Sequence, residues 1–143
     1  MADKLIAGLT GYRLQNAKTE WLVTKATKDS DWELPKSGVR RGESSVSALI
    51  RAMGEDMGLK GRVIEEAGRT SLVKTTDGEQ VSEKLLFYIV RTIGAEETKG
   101  KFAEKRWTTY AQAHKLLGLV REQKMLQLAQ EVLKECRKEN KKL

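Results

Sequence analysis

Trp32-Glu-Leu-Pro-Lys-Ser-Gly-Val-Arg-Arg-Gly-Glu-Ser-Ser-Val-Ser-Ala-Leu-Ile-Arg-Ala-Met-Gly-Glu-Asp-Met-Gly-Leu59 is the stretch whose reading decides the fold of this chain. Pro35 biases Leu34 away from the helical region, so Trp32–Pro35 reads as extended backbone. Lys36–Gly42 follows as a loop in which Lys36, Arg40 and Arg41 offer positive charge, and Gly38 backbone N–H, to a phosphate. A helix is expected from about Ser45 to Met57, because Val46, Leu49, Ile50, Met53 and Met57 recur at helical spacing as one apolar stripe. Ser44 or Ser45 suits its N-cap, and Gly58 suits the residue just past its end.

The same helix carries acids near its close. Arg51 and Glu55 stand at i, i+4 and are expected to pair, while position 52 falls on one side of the helix with Glu55 and Asp56. Two adjacent carboxylates there can serve a hard cation such as Mg²⁺, which takes carboxylate and water oxygens.

Outward from this stretch the chain reads as alternating strands and helices. Leu5–Leu14 and Trp21–Thr24 form an expected hairpin with Gln15-Asn16-Ala17-Lys18 at its tip, and Lys28–Asp31 is a polar loop. Arg69–Thr75 and Val81–Thr92 read as strands joined across Thr76-Asp77-Gly78-Glu79, since Asp-Gly tolerates the positive φ of a tight hairpin turn. Lys84–Val90 is nearly all apolar, as expected of a strand covered on both faces. Ala95–Gly100 reads as a loop, Lys105–Thr109 as a short strand, Tyr110–Leu117 as a short helix, and about Arg121–Asn140 as a closing amphipathic helix. The pattern is an α/β or α+β domain, a mixed β-sheet packed between helices, and one domain accounts for residues 1–143.

Composition narrows the class. Of 143 residues 39% are hydrophobic and 33% charged, the balance of a soluble globular domain. One cysteine, Cys136, excludes an internal disulfide, and no His/Cys cluster suggests zinc. No apolar run approaches a membrane span and the first residues lack a secretory pattern, so the expected setting is cytoplasmic, with no membrane partner. A formal charge of +7 favours an anionic partner, a nucleoside polyphosphate or RNA. Part of that excess lies in the tail Lys134–Leu143, where cations also suit a helix C-terminus.

Residues 37–59 resemble the Nudix box, a loop–helix–loop of the form G-x5-E-x7-R-E-U-x-E-E-x-G-U with U aliphatic. Anchored on Glu43, the spacing places Arg51, Met53, Glu55, Gly58 and Leu59 in register. Ser37 stands where the first glycine belongs, Ala52 replaces one glutamate and Asp56 shortens another. Trp32, Pro35 and Lys36 before the box, with Arg106-Trp107 and the closing helix after it, are similar to the diadenosine tetraphosphate hydrolase branch. The resemblance implies the Nudix fold and a site in which Glu43, Glu55 and Asp56 hold Mg²⁺ or Mn²⁺. It implies Glu55 or Glu104 as the catalytic acid or base, with loop acids Glu96 and Glu97 as alternatives. It also implies Lys36, Gly38, Arg40 and Arg41 on phosphate, and Trp32 or Tyr88 against a base. An isolated aromatic in an apolar strand, like Tyr88, is more often core.

Two readings stay open at this point. One is metal-dependent cleavage of a pyrophosphate bond in a nucleoside or dinucleoside polyphosphate, slowed by the carboxylate missing at Ala52. The other is a catalytically silent module that binds nucleotide, RNA or a protein partner.

Overall fold

The computed structural model of the chain describes residues 2–95 and 101–139. β1 (Ala2–Gln15) and β2 (Lys18–Lys25) form the expected hairpin, with Asn16 and Ala17 both at positive φ in the turn. β3 (Lys36–Gly38) is followed by α1 (Ser45–Ala52), a π-helical turn (Met53–Met57), β4 (Leu59–Thr76) and β5 (Glu79–Ala95). β6 (Glu104–Thr108), α2 (Tyr110–Leu116) and α3 (Val120–Lys138) complete the order. The sheet runs β4-β5-β1-β2-β6, with β3 paired to β1 beside this path. β1 and β5 run parallel and the other pairs antiparallel, so the sheet is mixed. The loop expected at 95–100 lies, beyond Ala95, outside the described residues.

β5 shows why this sheet must be covered on both sides. Leu85, Phe87 and Ile89 enter one apolar cluster with Tyr12, Trp21, Val23, Leu34 and the inner faces of α2 and α3. Tyr88 and Val90 enter a second with Ala7, Leu9, Leu22 and the helix residues Leu49, Ala52, Met53 and Met57. Alternate side chains of one strand thus feed two cores, which is what its nearly unbroken apolar run requires. Gly8 lies opposite Phe87 across the parallel pair, and a Cβ there would come within 2.3 Å of the Phe87 ring.

β4 is longer than expected, because residues 59–68 also pair with β5. Register shifts at Lys60/Gly61, Val63/Glu65 and Glu66/Gly68 break the two-residue alternation that would have announced a strand. Residues 36–38, read as loop, are a short strand against Ile6–Gly8. No helix among the described residues is long and apolar enough to cross a membrane.

Candidate active site

The signature helix begins as read. Ser44 accepts the Ser47 N–H at 3.0 Å as N-cap, and Gly58 closes the helix in the left-handed region with φ 63°. Two details differ. The last five residues form a π turn rather than α-helix, and the buried face is set by Ala48, Leu49, Ala52, Met53 and Met57, leaving Ile50 57% exposed. Ala52 is completely buried in the α1-side core, so it does not share an open face with Glu55 and Asp56.

Arg51 is the hub of the site. Its Nε donates to Glu43 Oε2 at 2.8 Å and its Nη2 to Glu43 Oε1 at 3.1 Å and to the Gly38 carbonyl at 3.2 Å. Glu55, the partner expected from helical spacing, stands 3.8 Å from Nη1 with its side chain 59% exposed. Glu43 lies eight positions away yet meets Arg51 in the forked geometry that a guanidinium favours, and that geometry outweighs the looser i, i+4 contact. The Arg40 N–H adds a bond to Glu43 Oε1 at 2.9 Å. Arg51, then Arg40, hold the Glu43 carboxyl down to about 2. The turn Arg40–Glu43 is closed by Glu43 N–H on the Arg40 carbonyl at 3.0 Å, with Gly42 at φ 85°. Gly42 is therefore the loop position that needs glycine; at Gly38 an added Cβ would meet nothing.

Asp56 is paired with Lys101, whose Nζ lies 3.0 Å from Oδ1 and whose N–H donates to the Asp56 carbonyl at 2.8 Å. The short run from Lys101 then joins β2 at Lys25 through Ala103 N–H, and Glu104 opens β6 opposite Lys25, exposed. Strand alternation sets Glu104 on the face of Arg106 and Val23, opposite Trp107. Glu96 and Glu97 lie outside the described residues.

The expected phosphate and base contacts divide. Arg40 and Arg41 are exposed, and neither side chain meets a carboxylate among the described residues. Lys36 is committed elsewhere: its Nζ is bonded to Glu122 and to the Leu34 carbonyl at 2.9 Å. Tyr88, 8% exposed, turns its phenol to the Ser45 hydroxyl and braces β5 against the first turn of α1, so it does not offer a stacking face. Trp32 is half-buried on the α2 and α3 side, with Lys25 at 5.1 Å and Arg106 at 4.8 Å over its ring.

The NUDIX domain pattern matches residues 7–129. The chain belongs to the Nudix family. It is 28% identical over 104 residues to the MutT4 protein of Mycobacterium tuberculosis, covering 71% of this chain and 42% of that protein. It is 25% identical over 118 residues to an RNA pyrophosphohydrolase of Ruthia magnifica, covering 70% of this chain and 66% of the relative. The chain thus spans less than half the length of the first relative and just under two thirds of the second. Among solved structures, a C. elegans Ap4A hydrolase binary complex superposes with TM-score 0.68 at 22% identity, over 92% of this chain and 98% of that one. The Nudix domain of Shewanella oneidensis NrtR, crystallised with ADP ribose, gives TM-score 0.65 at 11% identity, over 93% and 90%. At these identities the structural likenesses establish the Nudix fold.

Do these side chains fit the divalent ion that the Nudix family implies? Among the described residues no three or more His, Cys, Asp or Glu side chains converge as ligands. Glu43 is spoken for by Arg51, and Ala52 supplies no oxygen. Asp56 is paired with Lys101 and Glu55 is the least committed of the acids, so this donor set suits only an ion carrying most of its shell as water and substrate phosphate, as Mg²⁺ commonly does, and not a cage made by protein alone. The residue that sequence reasoning missed is Glu122. Its signal was legible: an acid three, four and seven positions before Met125, Leu126 and Ala129, on the buried stripe of α3.

Proposed function

We propose that this Nudix chain cleaves a pyrophosphate bond in nucleoside or dinucleoside polyphosphates, with turnover reduced by the absent carboxylate at Ala52. The reading is carried by one arrangement: Glu55 and Asp56 side by side at the end of the signature helix, with exposed Arg40 and Arg41, which form no ion pair among the described residues, on the loop that leads into it. In this reading Arg40 and Arg41 bind phosphate oxygens, and Arg51 with Glu43 pins the loop to the helix. Glu55 accepts the proton of the attacking water; Glu104, on the sheet face opposite Trp107 and the signature helix, stands apart from that task. A Mg²⁺ or Mn²⁺ brought with the polyphosphate supplies charge neutralisation and a more acidic water when bound. Loss of a general base or its equivalent typically lowers rate by about 10²–10⁴, which sets the scale expected for Ala52. The expected site of action is the cytoplasm.

The relatives point to the substrates to try: diadenosine tetraphosphate, nucleoside triphosphates and 5′-triphosphorylated RNA, each with Mg²⁺ and with Mn²⁺. Slow metal-dependent turnover that disappears in Glu55→Gln supports the proposal. Ala52→Glu should raise it, assayed well below the unfolding midpoint because the new carboxylate enters a core position.

The burial of Ala52, with Glu43 and Asp56 already paired, favours a second reading: a silent module for nucleotide or RNA. No turnover in any variant, together with RNA binding that weakens linearly in log–log against salt, would select it.

A further inference from the structure

The segment that enters the box, Trp32–Gly38, is fastened from the far end of the chain. Glu122, in the first turn of α3, is wholly buried. Its Oε1 accepts the Leu34 N–H at 2.8 Å, and its Oε2 receives the Lys36 ammonium. The Gly118 N–H donates to the Trp32 carbonyl at 3.2 Å, and Gly118 lies so close to Asp31 that a Cβ would stand 2.9 Å from the Asp31 side chain. On its other edge the segment is bonded to β1 and β2, through Leu9 N–H on the Pro35 carbonyl and a two-way exchange between Thr24 and Glu33. At its far end the Gly38 carbonyl receives Arg51 Nη2, the guanidinium that also holds Glu43 and neighbours Glu55.

A run of bonds therefore passes from Glu122 through residues 34–38 to Arg51 and the acids of the signature helix. A buried ion pair contributes little net stability beyond what apolar side chains of similar volume would give. What this one does supply is geometry, fixing both the backbone at Leu34 and the side chain at Lys36. We propose that Glu122 is a positioning residue for the candidate active site: through Lys36 and Leu34 it sets the height of Gly38, and so the orientation of Arg51 and Glu43. The consequence for substrate rests on the pyrophosphohydrolase reading; the positioning itself does not.

The test uses the full chain with ¹⁵N-labelled arginine, comparing wild type, E122Q, K36M and K36M/E122Q. The amide introduced by E122Q still offers an oxygen to the Leu34 N–H, so this variant removes chiefly the charged arm. The order parameter of the Arg51 Nε–H, measured on the folded protein, should fall clearly below the wild-type value in E122Q and K36M. It should stay low in the charge-free double variant even where the unfolding midpoint recovers. Binding of Mg²⁺–ADP should weaken about tenfold in parallel, a loss of the same size as one unit of log affinity. An Arg51 order parameter unchanged in the folded variants, or restored together with the midpoint in the double variant, overturns the proposal. Wild type that binds no nucleotide counts against the hydrolase reading alone, because the Arg51 signal still decides the positioning.

Discussion

Glu43 shows how one side chain couples the loop to the helix. Arg51 and the Arg40 N–H stabilise its ionised form and hold its carboxyl at about 2, against an ordinary value of 4.5. Because the folded protein binds this proton less readily than the unfolded chain, the contribution is fully present above about 4.5 and is lost as the pH falls toward 2. Thermal unfolding followed from pH 6 to pH 2 should therefore show a loss of midpoint that Glu43→Gln flattens, and added salt should shrink the difference only in part, because both side chains are mostly covered. A variant with the same pH profile as wild type would contradict this. The spacing of the box made Glu43 and Arg51 legible as site residues, but helical periodicity assigned Arg51 to Glu55. The loop's fold back onto α1 made the better partner, and no local rule encodes that closure. Ala52 is the same lesson in reverse: a residue identified by what it lacks turns out to be filling the core.

At the scale of elements, the signature helix depends on how it ends. Its last turn is π-helical, Gly58 follows at φ 63°, and the Gly58 N–H returns to the Met53 carbonyl. Such turns are frequent at functional sites, because they re-aim side chains without breaking the helix. Here the turn exposes Glu55, leaves Asp56 half-buried against Lys101, and still buries Met53 and Met57. Gly58→Ala forces a Cβ into the left-handed region at a cost of about 1–2 kcal/mol. The midpoint of thermal unfolding should drop by about 5 °C. A drop of under a degree would mean that the turn relaxes into ordinary α-helix without strain. The apolar stripe and the glycine stop announced this helix from the sequence. Ile50 was placed wrongly on the stripe because Ala48 and Ala52, small enough to pass unnoticed in a hydrophobicity pattern, are what actually face the sheet.

At the scale of the molecule, one sheet divides two cores. β1 and β5 send alternate residues to the cluster under α2 and α3 and to the cluster under α1, so neither core has a sheet face without the other. This predicts a single cooperative transition. In W32F/W107F the remaining Trp21 reports the first core, and in W21F/W32F the remaining Trp107 reports the second. Within each variant, fluorescence and far-ultraviolet circular dichroism should give coincident denaturant midpoints. Separated midpoints would show that the α1 side opens on its own, which would make the candidate site a locally unfolding region.

The sequence by itself determined the class of architecture, the signature helix, both hairpin turns and the two-sided burial of residues 84–90. These are set by periodicity and by a few turn residues, all of them local properties of the chain. It also located the acids and cations of the box and Lys36 before it, though not Lys101 or Glu122, which pair with two of them. Only the tertiary structure decided how they are shared out: Glu43 to Arg51, Asp56 to Lys101, Lys36 to Glu122, and Tyr88 to Ser45. The reason is physical. A charge or hydroxyl brought into a folded interior must find a partner among whatever the fold places nearest, and several of those partners lie tens of residues away along the chain.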